Sequence, residues 1–380
     1  MSRRKVLFLA ESLSGGGAEK VLSVLVKHID KKYFDLTVCT VSDTGIYCEE
    51  IKQNVRYCSI LGNAQNKSAI GKIIYKIKYK AIYNILPMWL IYKIFVPKGY
   101  DVEVAFMEGY VTKLLSASTN KRSLKIAWVH TDLLKNPWTQ NIKVYNNESK
   151  ELVCYAKFDK IVCVSDTAKE NFIKKFGLKN VIRIYNPIDK DEILRKADIP
   201  CEYPQSENCF KLLTIGRLVP QKGYDRLLRV MKKIKEDGLK CNLLILGDGE
   251  MRVQLSNYIK KNNLSDSVIL GGFKKNPYKY LKKADCFVCS SRSEGFSLVI
   301  AEAMMLGIPV ISTYCSGPNE LLEEGKYGLL VDNNEEDLYR GIKSIIEDEK
   351  LRMYYKQQAI IGGEQINLRK AMQQIELLIS

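Results

Sequence analysis

Short apolar runs separated by longer mixed stretches recur along almost the whole chain. In the first half they are Val6–Ala10, Leu36–Val41, Val102–Phe106, Lys125–Val129 and Lys160–Val164. Runs this short and this rich in leucine and β-branched residues predict buried strands. The amphipathic stretches between them predict helices, so the alternation predicts a parallel sheet wound with helices. The pattern pauses over 186–209, which is polar, holds three prolines and has no strand-like run, as expected of a linker. It restarts with Lys211–Ile215, Asn242–Leu246, Ser267–Leu270, Cys286–Cys289 and Pro309–Ser312, and closes on an amphipathic stretch, Leu368–Leu378, that predicts a helix. The expectation is an α/β protein with two doubly wound domains, 1–188 and 189–365, and a C-terminal helix, 366–380, packing back toward the first.

Composition narrows this picture. A chain of 380 residues with 46% hydrophobic content can bury two cores, and the absence of biased tracts excludes a fibrous or disordered protein. The 11 cysteines are odd in number and often sit inside apolar runs, which argues for a reducing compartment rather than a secreted disulfide framework. Cys286 and Cys289 form the one CxxC; without a second pair at zinc spacing they read as buried strand cysteines. The apolar run after the basic start is too short for a signal peptide and leads directly into a glycine-rich loop, so it reads as a first strand. Residues 82–96 are apolar but interrupted by Pro87 and Lys93, and no transmembrane span is expected.

The net charge is +16, which attracts nucleic acid, anionic lipid or phosphorylated substrates alike. Its distribution is uneven. Between Glu50 and Asp101 there is no acidic residue, while Lys52, Arg56, Lys67, Lys72, Lys76, Lys78, Lys80, Lys93 and Lys98 contribute +9. Residues 67–98 interleave these lysines with Tyr75, Tyr79, Tyr83, Trp89 and Tyr92. Two readings stand: a surface lying on an anionic membrane leaflet, or lysines on the solvent face of ordinary helices.

Three places carry candidate chemistry. Gly15, Gly16 and Gly17 lie between the first strand and a helix, where bare backbone amides can approach an anion, or where a tight turn simply joins two elements. Arg217 and Lys222 occupy the loop after the strand KLLTIG, at the end of a sheet where open α/β folds bind ligands. Two cations there suit a diphosphate, although a solvated basic loop reads the same way. In SSRSEGFSLVIAEAMM a helix is expected to start near Ser297 after a loop with Glu294 and Gly295, so that the amides of Phe296, Ser297 and Leu298 form a helix N-terminus able to hold phosphate. Glu294 and Glu302 are eight residues apart, about two helical turns, and carboxylates accept hydrogen bonds from vicinal hydroxyls.

Written as Glu294-GFSLVIA-Glu302, this block resembles the E-x7-E signature of the retaining group 1, family 4 glycosyltransferases of GT-B fold. The resemblance runs through SGGGAEK, GRLVPQKGYDRLL, LLILGDGEMRVQL, VILGGF and SGPNELLEEGKYGLLV in order. It implies two Rossmann-like domains facing across a cleft. It also implies that Arg217 and Lys222 hold the donor diphosphate, Glu302 the ribose, Glu294 the transferred sugar, and Gly16 and Gly17 close over the donor. His130, in AWVHTD, would meet the donor sugar, and Phe273 and Lys274 would flank the nucleobase. With cations aimed at the leaving diphosphate no metal or other cofactor is expected, and Asp101 and Glu103 read as strand residues rather than metal ligands.

The expected partners are a nucleotide-sugar, UDP-linked by preference with GDP-mannose as the alternative, and a glycan acceptor carried on a polyprenyl diphosphate in capsule or O-antigen assembly. The expected location is the cytoplasm, peripherally bound to the inner face of the membrane. Rival readings are a GT-B epimerase of nucleotide-sugars and a non-catalytic nucleotide-sugar or RNA-binding scaffold; no nucleic-acid-binding signature supports the last.

Overall fold

The computed structural model describes residues 3–64, 68–204 and 209–380. Lys67 of the basic interval and residues 205–208 of the expected linker lie outside these. The chain divides into two compact units, Met1–Pro187 with Arg369–Ser380, and Ile188–Leu368.

The first unit holds seven parallel strands, β1 (Arg4–Ala10), β2 (Phe34–Thr40), β3 (Arg56–Ser59), β4 (Val102–Ala105), β5 (Leu124–Val129), β6 (Lys160–Cys163) and β7 (Val181–Arg183), ordered β3-β2-β1-β4-β5-β6-β7. In β1, Val6 to Ala10 are fully buried, because helices cover both faces of a parallel sheet and leave no solvent side for alternation. Val6 pairs with Leu36 on one side and Val102 on the other. The helix Gly17–His28 buries Val21, Leu22, Leu25 and Val26, one stripe at helical spacing. The helix Leu368–Ile379 belongs to this unit, where Glu376 accepts the Asp30 amide at 2.9 Å. Glu103 is fully buried in β4 and accepts bonds from Tyr92, Ser118, Ser123 and Asn120.

The second unit holds six parallel strands, β8 (Phe210–Ile215), β9 (Cys241–Leu246), β10 (Val268–Gly272), β11 (Cys286–Cys289), β12 (Val310–Thr313) and β13 (Leu329–Val331), ordered β10-β9-β8-β11-β12-β13. Cys286 and Cys289 end β11 on opposite faces, one in the core under the helix Tyr224–Glu236 and the other in the core beside Leu213 and Ile300. An odd spacing in a strand separates the two thiols across the sheet.

The stretch expected to be a linker differs from that reading in one respect. Residues Lys190–Ala197 form a helix whose N-cap, Asp189, accepts the Glu192 amide at 2.9 Å. Ile193 and Ala197 are buried, so a single apolar stripe within a polar segment is enough to fix the helix. Among the described residues no helix is long and apolar enough to cross a membrane.

Candidate active site

In the second sheet the crossovers reverse direction between β8 and β11. The carboxyl ends of those two strands therefore bound the crevice where such sheets take ligands. The loop after β8 brings Arg217 and Lys222; the loop after β11 brings Glu294 and the start of the helix Leu298–Met305.

The two loops are tied together by charge and by backbone bonds. Lys222 Nζ donates to Glu294 Oε1 at 2.5 Å, and Ser291 Oγ donates to the same oxygen at 2.6 Å. Burial disfavours the ammonium, but the Glu294 carboxylate more than offsets it and holds the Lys222 pKa above the ordinary lysine range. Gln221 Nε2 donates to the Ser293 carbonyl at 2.7 Å, and Arg292 bonds both the Pro220 carbonyl and Asp225. The bonds from Arg292 hold the Asp225 carboxyl down at about 2. Gly223 is required at its place: its φ is +67°, and a Cβ there would lie 2.1 Å from the Ser290 carbonyl oxygen.

Arg226 is a site residue that the sequence reading missed. It is 5% exposed, yet among the described residues it makes no ion pair with a carboxylate. Its guanidinium instead donates to the carbonyls of Ser290, Ser291 and Asn333, to the Asn333 side chain and to Thr313 Oγ1. One planar fork thus fixes the loops after β11, β12 and β13. The available signal was an arginine beside the apolar stripe Tyr224, Leu227, Leu228 and Met231, on a helix face with no solvent.

Arg217 contrasts with this network. It is exposed, and its side chain makes no hydrogen bond or ion pair among the described residues. Lys222, Tyr224, Thr214, Ser290, Glu294 and Ser297 line a small cavity in the same crevice. Ser297 is the N-cap of the helix Leu298–Met305 and uses no side-chain bond to cap it. The first-turn amides of such a helix have no intrahelical partner and carry partial positive charge. Glu302 lies within that helix, 3% exposed, and Glu294 is 6% exposed. Gly295 and Phe296 form the turn before the helix, which packs so closely that a Cβ on Gly317 would lie 2.7 Å from the Gly295 carbonyl oxygen and the Phe296 Cα. Phe273 follows β10 with half its surface exposed, and the adjacent Lys274 lies 6.0 Å from the Tyr280 ring.

The remaining sequence-predicted residues lie in the first unit. Gly16 is the N-cap and Gly17 the first residue of the helix that follows β1. His130 follows β5, with Nε2 2.9 Å from the Phe106 carbonyl. A carbonyl only accepts, so Nε2 carries the proton and Nδ1 presents a lone pair. Burial lowers the His130 pKa, opposed in part by Glu108, and the ring is neutral at physiological pH. Glu108 accepts the His130 amide at 3.0 Å, the Thr131 hydroxyl at 2.5 Å and the Trp138 indole at 3.3 Å. Among the described residues no three His, Cys, Asp or Glu side chains gather to hold a metal ion.

Comparison with known proteins bears on both units. A family model described as glycosyltransferase family 4 matches residues 15–192, and one described as glycosyl transferases group 1 matches residues 196–361. The chain is 31% identical to the N-acetylgalactosamine-N,N'-diacetylbacillosaminyl-diphospho-undecaprenol 4-alpha-N-acetylgalactosaminyltransferase of Campylobacter jejuni, over 92% of each chain. It is 26% identical to the amylovoran biosynthesis glycosyltransferase AmsD of Erwinia amylovora, over 93% of each. Among solved structures, Anabaena Alr3699/HepE in complex with UDP and glucose superposes with a TM-score of 0.76 over 98% of each chain at 21% identity.

Proposed function

The chain belongs to the group 1, family 4 glycosyltransferases of GT-B fold, and from that premise we propose that it transfers a sugar, with retention of configuration and without a metal, from a UDP-sugar to a polyprenyl-diphosphate-linked glycan. The observation that carries the donor side is the pairing of an unengaged cation with a preassembled frame. Arg217 is exposed and has no side-chain partner among the described residues, while Lys222, Glu294 and the helix start at Ser297 are locked around the β8 and β11 strand ends. Arg217, Lys222 and the first-turn amides aim positive charge at a diphosphate whose own charge grows as the glycosidic bond breaks, and such preorganised groups contribute several kcal/mol in the transition state. That is the work a divalent ion does in metal-dependent transferases. Glu302 binds the ribose hydroxyls and Glu294 the transferred sugar.

Glu294 already accepts from Lys222 and Ser291, so it orients the sugar rather than attacking it. With no free carboxylate assigned as nucleophile, the reaction runs on one face. The bond from the anomeric carbon to the phosphate oxygen breaks, that departing oxygen takes the proton of the acceptor hydroxyl, and the acceptor oxygen bonds to the anomeric carbon on the same face. Neutral His130, whose Nε2–H is taken by the Phe106 carbonyl, accepts a hydrogen bond from a sugar hydroxyl at Nδ1 without adding charge.

The acceptor side draws on residues 67–98. In the helix Ala69–Lys80 no residue is buried, and Ile70, Ile73, Ile74 and Ile77 form one apolar stripe, each at least 59% exposed. Lys72, Lys76 and Lys80 lie on the same helix, and Ile85, Trp89 and Ile94 further along the segment are exposed as well. An exposed isoleucine stripe on a helix that carries lysines suits the interface of an anionic leaflet, where a polyprenyl-linked acceptor resides. The C. jejuni relative is named for an acceptor of that class.

Calorimetric titration with UDP, GDP, ADP and their sugars tests the donor reading. UDP should bind, and Arg217→Ala and Glu302→Ala should each weaken it by about tenfold or more without altering thermal stability in the Arg217 case. Binding of GDP in preference would move the assignment to GDP-mannose; binding of no nucleotide would sink it.

A further inference from the structure

The first unit carries a second constellation that the donor site does not use. Its crossovers reverse direction between β1 and β4, so the carboxyl ends of those strands bound a crevice of the kind that takes ligands. Glu11 is the first residue past β1, and Tyr110 begins the helix Tyr110–Leu115 that follows β4. Tyr83 reaches the same place from the 69–95 segment and donates to Glu11 Oε1 at 3.0 Å. The turn that delivers it, Ala81–Ile85, is π-helical, a rare conformation that occurs frequently at functional sites. The Tyr79, Tyr83 and Tyr110 rings follow one another at centroid separations of 4.5 Å, and Tyr79 is 44% exposed.

Among the described residues Tyr83 is the one side chain bonded to the Glu11 carboxylate. An ionised carboxylate offers about four acceptor positions, so the bond from Tyr83 orients the Glu11 carboxylate without exhausting its capacity to accept from a ligand's hydroxyls. Burial pushes the Glu11 pKa up, and the bond from Tyr83 offsets part of that rise. The titratable groups recorded against it are the phenols of Tyr83 and Tyr110, with Tyr79 beyond them against Tyr83, and among the described residues no cation bonds to it. A strut that merely anchored the 69–95 segment would need no charge. A carboxylate oriented by a phenol at the end of a ladder of aromatic rings matches a pyranose ring, which presents vicinal hydroxyl donors at its edge and C–H groups on its face.

We propose that Glu11, positioned by Tyr83 and backed by the Tyr79 ring, is a pyranoside-binding subsite that holds the sugar of the acceptor glycan. This rests on the glycosyltransferase reading with a glycan acceptor. Glu11 accepts from two adjacent hydroxyls of that sugar while the exposed ring covers its apolar face.

The test is saturation-transfer NMR on the full chain, in saturating UDP, with the methyl pyranosides of glucose, galactose, N-acetylglucosamine, N-acetylgalactosamine and rhamnose. At least one should bind, and Glu11→Gln should weaken it by about tenfold or more while UDP still binds the same sample. Wild-type binding should fade as pH falls through the raised Glu11 pKa, Tyr83→Phe should move that midpoint upward, and Glu11→Gln should be pH-independent. Were Glu11→Gln to unfold, Tyr79→Ala, which removes an exposed ring, carries the same expectation of weaker binding. A panel in which no glycoside binds, or in which binding survives Glu11→Gln and Tyr79→Ala, overturns the subsite while leaving the donor reading intact. Loss of UDP binding in the wild type would instead fault the donor reading.

Discussion

Replacing Lys222 by methionine isolates the electrostatic frame of the donor site. The substitution keeps the length of the side chain and removes its charge, leaving Glu294 in a place where its side chain is 8% exposed and Ser291 Oγ is the other donor to Oε1. Breaking a buried pair by removing one partner costs about 3–5 kcal/mol. The Lys222 side chain keeps 22% of its exposure, so solvent reaches the site and the lower end, about 3 kcal/mol, applies. The sign with pH follows from the raised lysine pKa. The contribution is complete below the ordinary lysine value of about 10.4 and is lost only as pH rises through the folded-state value, so at pH 7.5 it is fully present. With a urea slope of about 2 kcal/mol per M, the midpoint should fall by about 1.5 M.

The assay can assign that loss to the second unit, because Trp89, Trp128 and Trp138, the three tryptophans of the chain, all lie in the first. Tryptophan fluorescence should keep its midpoint while far-UV circular dichroism gains an earlier phase. Lys222→Met/Glu294→Gln should recover part of the loss, since the penalty belongs to the unpaired carboxylate rather than to the missing bond. A double variant no more stable than Lys222→Met would refute the account, as would a shift in the tryptophan transition alone.

Two further outcomes follow from other parts of the molecule. Arg226→Met should cost the second unit about 3 kcal/mol or more, because it strips the donor from the buried carbonyls of Ser290 and Ser291 at about 1–3 kcal/mol each; it should also weaken UDP binding, and unaltered binding would mean that the fork does not shape the site. Ile73→Ser/Ile77→Ser should weaken sedimentation with vesicles containing anionic lipid by about a hundredfold, from the loss of two interfacial isoleucines at about 1.5–3 kcal/mol each, and should leave folding unchanged because both are at least 60% exposed. Equal binding by the variant would show that the stripe does not touch lipid.

What could be read from the sequence and what could not divides along a physical line. Strands buried on both faces announce themselves as apolar runs, which is why the ten runs in the sequence all correspond to strands to within a few residues. The three strands that escaped notice, β3, β7 and β13, are sheet edges of three or four residues with at most one buried position each. An edge strand with solvent on one side and few residues has no pattern to show. The paired glutamates were legible because their spacing is set by one local element, a turn followed by a helix. Arg226 was not, since most of its bonds go to backbone carbonyls 64 to 107 residues away, and a carbonyl leaves no trace in residue identity. The Glu11–Tyr83 bond spans 72 residues and depends on a π-helical turn, a register change that a 3.6-residue period hides. The donor frame is therefore visible in sequence where chemistry is carried by side chains at fixed local spacing. It is hidden where side chains act by fixing backbone; the basic and aromatic character of residues 67–98 could be read, whereas the bond that ties Tyr83 to Glu11 could not.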